Sequence, residues 1–218
     1  MRRRTLDVLF SAGGIALAGL LLVLGLVMTS NANFARGYVR DQLSQQNITF
    51  TPAAELDGEE SQSACLVAFA GQRLTTGKQA ECYANDYIGL HLQAIANGQT
   101  YADLGEPQSA LRAKAAAAKV ANDPGLASLQ ADLAAVTAQR ETLFKGETLR
   151  GLLLTSFGFS VFGVKGEQVA TVAYIVAGLL TLLSLAGFYH ALRTSKDEAF
   201  AAPTHSNPRV ADKDLVVV

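Results

Sequence analysis

The sequence predicts an all-α membrane protein in which two transmembrane helices enclose an exported helical domain closed by one disulfide. Three observations predict it. Two long uncharged apolar runs lie toward the ends of the 218-residue chain, the stretch between them has the periodicity of amphipathic helices, and the only cysteines, Cys65 and Cys82, both fall in that stretch. Half of the residues are hydrophobic and only 17% are charged, whereas about 25% charged is usual for a soluble domain. The expected boundaries are a cytoplasmic N-terminus at 1–7, a transmembrane helix at 8–28, an exported helical domain at 29–148, an interfacial apolar segment at 149–168, a second transmembrane helix at 169–192, and a disordered cytoplasmic tail at 193–218.

The first run, Val8 to Met28, has 21 residues without a charge. At about 1.5 Å per residue it covers a hydrocarbon core of ~30 Å. The second, Val169 to Leu192, has 24 residues and lacks Asp, Glu, Lys and Arg, so it spans with some tilt. Arg2, Arg3 and Arg4 precede the first run, and Arg193 and Lys196 follow the second. Basic residues flank the cytoplasmic face of a membrane, which predicts both termini inside the cell. The central residues 29–168 carry 11 basic and 14 acidic side chains, 11 − 14 = −3, and lie outside in this topology. An alternative stays open in which the first run is a cleaved signal peptide, with Ser30 and Ala32 as the small residues before the cut.

Cys65 and Cys82 then sit where thiols oxidise, and a disulfide between them is the economical reading; two unpaired thiols are the alternative. Closing a loop of about 17 residues contributes on the order of 3 kcal/mol.

Within the central stretch, Phe34, Tyr38 and Leu43 continue the helical pattern of the first span, so that helix runs out of the membrane. Residues 49–63 hold Pro52, Gly58 and the acids Glu55, Asp57, Glu59 and Glu60, the composition of an exposed loop. Ala80, Tyr83, Tyr87, Leu90 and Ala94 mark one amphipathic helix that stops at Asn97 and Gly98. Thr100 and Asp103 form a short capped piece, which Pro107 separates from an Ala-rich helix over 108–122. Asp123, Pro124 and Gly125 turn the chain into a longer helix marked by Leu126, Leu129, Leu133, Val136 and Leu143. The apolar residues 149–164, interrupted by Gly151, Gly158 and Gly163, are short for a span. They suit a segment resting on the membrane surface or docked on the second span.

Chemistry-bearing residues are few. With 18 basic and 19 acidic residues and no Trp, no basic stripe matches nucleic acid. His91 is the only exported histidine and reads as a partly buried, hydrogen-bonded side chain. His190 lies beside Tyr189 at the level of the lipid headgroups and His205 lies in the tail, so the three do not converge on a metal in this topology. There is no Gly-x-Ser-x-Gly elbow, phosphate loop or dinucleotide fingerprint. Both spans lack the ionisable groups of an ion pathway. No catalytic, metal or cofactor residues are therefore assigned, and no cofactor is expected. Gly14 and Ala18 in the first span, and Ala173 and Ala177 in the second, are small residues at spacing four that let helices approach closely. Asn47, Ile48 and Thr49 match a glycosylation sequon.

Thr-Gly-Lys-Gln-Ala at 76–80, followed by Tyr83, Ala84, Ile88, His91, Leu92, Ile95 and then Gly-Gln-Thr-Tyr-Ala at 98–102, resembles a family of actinobacterial two-span membrane proteins. So does Phe-Lys-Gly-Glu-Thr-Leu-Arg-Gly at 144–151 with the leucines that follow it. Members are often labelled aromatic ring-opening dioxygenases, which would imply an iron held by two histidines and a carboxylate. His91 alone cannot supply that set. By its architecture the chain also resembles the small accessory membrane subunits of actinobacterial respiratory supercomplexes. This implies a non-enzymatic accessory or scaffolding subunit with integral membrane proteins, respiratory-chain subunits among them, and the lipid bilayer as partners. The alternative is an envelope ligand-binding or sensor module that relays a signal across the membrane.

Overall fold

The computed structural model describes residues 3–195. Apart from its first three residues, the expected tail, with His205 and Lys196, lies outside the described residues, as does Arg2. Six α-helices follow one another: α1 (Arg3–Gln45), α2 (Ala64–Phe69), α3 (Gly77–Cys82), α4 (Gly89–Ala96), α5 (Gly105–Ala121) and α6 (Leu126–Arg193). A π-helical turn, Tyr83–Ile88, joins α3 to α4, and no strand forms among the described residues beyond a single antiparallel bridge, Thr49 to Arg73. The helices α1 and α6 are both long and apolar enough to cross a membrane. The described residues divide into two compact units, one holding 3–26 with 170–195, the other Val27–Val169.

In the first unit, α1 and α6 meet through small side chains. Ala18, Ala173 and Ala177 are buried, Gly14 faces the Ser184 hydroxyl, and Gly187 faces that of Ser11. The large apolar side chains point the other way: Phe10, Leu20 and Leu183 are 69–75% exposed. Such a pair of helices is inside-out for water and suited to lipid, where close backbone approach replaces hydrophobic burial as the driving force. A polar contact joins the pair, His190 Nδ1 lying 2.9 Å from an Asp7 carboxylate oxygen.

The second unit has its own core. Phe50, Leu66 and Leu74 are wholly buried, packed with Val39 and Leu43 of α1, Leu92 of α4, and Leu143 and Leu153 of α6. Burying each such side chain contributes about 1.5–3 kcal/mol. The 49–63 loop contains two short 3₁₀ turns, Ala53–Glu55 and Glu60–Gln62. Phe50 is fixed because its backbone N–H donates to Gln72 while that of Leu74 donates to Ile48, both at 2.9 Å. Thr76 caps α3 and Gln79 returns the bond, a complete capping box. The α4 helix ends at Asn97, in the left-handed conformation, followed by Gly98, as the sequence predicts.

Three expectations are corrected. Pro107 does not separate two pieces but lies within the first turn of α5, where a backbone N–H has no helical acceptor to lose. The reciprocal Thr100 and Asp103 bonds stand just before that turn, and they hold the Asp103 carboxyl below its ordinary range. Second, residues 149–168 are not separate from the helix that follows but lie in the middle of α6. A glycine in a helix costs only about 1 kcal/mol, and Gly163 is used for close packing against Ala32 and Ala35 of α1. Third, His91 is hydrogen-bonded but half exposed, because it lies at the rim of the core.

Candidate functional site

Cys65, at the start of α2, and Cys82, at the end of α3, are bonded to each other, with a Cα–Cα distance of 6.0 Å. The disulfide pins α2 against the π turn. Ser63 accepts from the Leu66 N–H as the cap of α2 and donates to Asp86 at 2.6 Å. The same Asp86 oxygen lies 3.1 Å from the Cys65 sulfur. Cys65, Cys82 and Asp86 thus gather three atoms of metal-ligand type, two sulfurs and a carboxylate oxygen, within 4.8 Å. Their bond to each other leaves neither sulfur a thiolate to offer a metal.

From the disulfide an aromatic ladder runs along the π turn into α4. Phe50 meets Tyr83 edge-on at 5.4 Å, Tyr83 stacks on Tyr87 at 4.6 Å, and Tyr87 lies 4.5 Å from the His91 ring. The widened π turn between Tyr83 and Ile88 is the register in which these rings meet. Burial, and then the neighbouring Tyr87, push the Tyr83 hydroxyl up to about 12, far from the pKa of a group that exchanges protons near neutrality. His91 has Nδ1 2.8 Å from the Tyr87 carbonyl oxygen and Nε2 3.5 Å from Glu60. Both ring nitrogens are engaged locally, and the ladder serves to brace the body.

The surface of the second unit differs in character from this braced interior. Phe34 and Tyr38 of α1 stack at 5.8 Å, and Phe34, Leu152 and Phe162 are 62–77% exposed, with Phe159 about half exposed. Between the two helices runs an apolar groove of about 420 Å³ lined by Tyr38, Leu149, Leu152 and Phe159, with Gln42 and Ser156 as its polar edges. Exposed apolar patches rimmed by polar groups mark interaction sites.

The structure therefore brings Cys65 and Cys82 together and leaves His91 and His190 in separate local contacts. Sequence reasoning missed Phe50, whose isolated position in a polar segment gave no periodic signal. It also missed the Thr76 and Gln79 box, which the Thr-x-x-Gln spacing does encode. Comparisons with protein-family models, with curated proteins and with solved structures gave no match.

Proposed function

We propose that this chain is an integral membrane protein, anchored by residues 8–28 and 169–192, whose helical body lies on the outer face and acts as a non-catalytic scaffolding subunit of a larger membrane complex. The observation that carries the reading is the exposed apolar surface of Phe34, Tyr38, Leu152, Phe159 and Phe162, on a body whose own core is already complete without them. A disulfide favours the oxidising side of the membrane for that body, and the flanking arginines favour termini in the cytoplasm. The architectural resemblance makes respiratory-chain subunits the partners to look for first.

The test is purification of the tagged chain from native membranes in mild detergent, with a photo-crosslinker at position 159 or 162. A membrane complex retained at fixed stoichiometry and crosslinked through those positions is the expected result. Recovery of the chain alone overturns the reading. The groove beside Tyr38 favours a second reading, a ligand-binding or sensor module. A small apolar ligand that raises the unfolding temperature of the body would support it, since binding to the folded state alone must stabilise it.

A further inference from the structure

The contact between Asp86 and Cys65 gains the fold nothing by itself. Their atoms lie 3.1 Å apart, but a sulfur in a disulfide carries no proton, so the carboxylate receives no hydrogen bond from it. Ser63 supplies one instead: its hydroxyl donates to the same oxygen at 2.6 Å and lies 3.5 Å from the Cys65 sulfur. A hydroxyl orients the carboxylate and leaves its charge in place. Among the described residues no Lys, Arg or His pairs with Asp86. A negative charge is therefore fixed against one sulfur of the bond with no cation to offset it.

The two sulfurs also differ in access. Cys82 is 4% exposed and belongs to the core, whereas Cys65 is only partly buried against it. A disulfide opens when a thiolate attacks one sulfur and expels the other, and here the approachable sulfur is that of Cys65. The attack joins the incoming sulfur to Cys65 and breaks the Cys65–Cys82 bond; Cys82 leaves as a thiolate and takes a proton from water. A second thiol of the reductant then attacks the reductant's own sulfur in this mixed disulfide and expels Cys65. The reductant ends as a disulfide, and its two electrons lie on the two cysteines. In the first step a negative charge has to come within a few ångströms of Asp86, where like charges repel and salt screens them little.

We propose that Asp86 guards the disulfide: its carboxylate repels anionic thiols from Cys65, so that the bond pinning α2 against the π turn persists where a soluble thiolate would otherwise open it. Ser63 is the positioning residue that holds the carboxylate against the sulfur. The proposal needs only the disulfide and its surroundings, and stands whether or not the chain is a subunit of a larger complex.

For the test, the full oxidised chain in non-ionic detergent is treated with mercaptoethanol, whose attacking form is an anion, and separately with an uncharged phosphine, which attacks the same sulfur without a negative charge. Samples are quenched with excess alkylating reagent, and the freed cysteines are counted by mass. In Asp86→Asn, which keeps the size of the side chain and an oxygen for Ser63, the rate with mercaptoethanol rises about 10-fold, while the rate with the phosphine stays that of the parent. Salt at about 1 M, which shortens the screening length to about 3 Å, narrows the gap between parent and variant. An unchanged thiol rate in the variant overturns the proposal. So does an equal rise with both reductants, which marks a loosened structure and not a lost charge. If the Asn variant does not fold, the parent alone decides: salt speeds the thiol reaction and leaves the phosphine reaction unchanged, and equal salt effects on the two overturn the proposal.

Discussion

The ring of Tyr174 lies against the backbone of Gly25, so that a β-carbon at position 25 would fall 2.5 Å from the ring. The contact exists only because residue 25 has no side chain. Gly13, on the same helix, has nothing within 4 Å of the corresponding point.

Gly25→Val therefore forces α1 and α6 apart and destabilises their pairing by roughly 1–3 kcal/mol, the usual effect of overpacking. Gly13→Ala, at a point with open space, does not destabilise and gains up to about 1 kcal/mol of helix propensity. Thermal unfolding in detergent compares the two, and equal midpoints would contradict the packing of Tyr174 on Gly25.

Reduction of Cys65–Cys82, or the double substitution to alanine, lowers the stability of the helical body by about 3 kcal/mol, given the sequence separation of 17. Denaturant unfolding with and without reductant measures it. The double-alanine chain carries the loss already and no longer responds to reductant.

Phe50 is 2% exposed and touches Phe69 and Tyr83 at ring-centroid distances of 5.6 and 5.4 Å. Phe50→Ala leaves a cavity under the aromatic ladder and destabilises the body by about 3–5 kcal/mol. The near-ultraviolet dichroism of the tyrosines weakens with it. Val67→Ala, at a half-exposed position, serves as the comparison and stays within about 0.5 kcal/mol.

Tyr83 gives a pH dependence with a definite sign. Its hydroxyl ionises at about 12 in the folded chain against an ordinary 10.0, so above pH 10 the unfolded chain releases a proton that the folded chain keeps. The stabilising contribution is whole below pH 10 and disappears as the pH rises to 12. Alkaline unfolding followed by tyrosinate absorbance falls in that window, and Tyr83→Phe removes the part of the slope that belongs to this residue.

The apolar runs were legible because hydrophobicity over twenty residues is a local property of sequence. The disulfide followed from there being only two cysteines, and the Asn97 stop from a backbone conformation that few side chains tolerate. The continuity of α6 was not legible. Gly151, Gly158 and Gly163 with Lys165 and Glu167 read as an interruption, yet Gly163 fits against Ala32 and Ala35, and Glu167 pairs with Arg36. Those contacts join residues more than a hundred positions apart, which no periodicity in one segment can announce.

The meeting of Gly14 with Ser184 also sets a schedule for biosynthesis. The serine is made 170 residues after the glycine, and at translation speeds of about 5–20 residues per second that interval is roughly 10–30 seconds. Throughout it the small-residue face of α1 has no native neighbour, and another apolar helix can occupy it. The chain's slowest vulnerable period is therefore the wait of its first helix for its last.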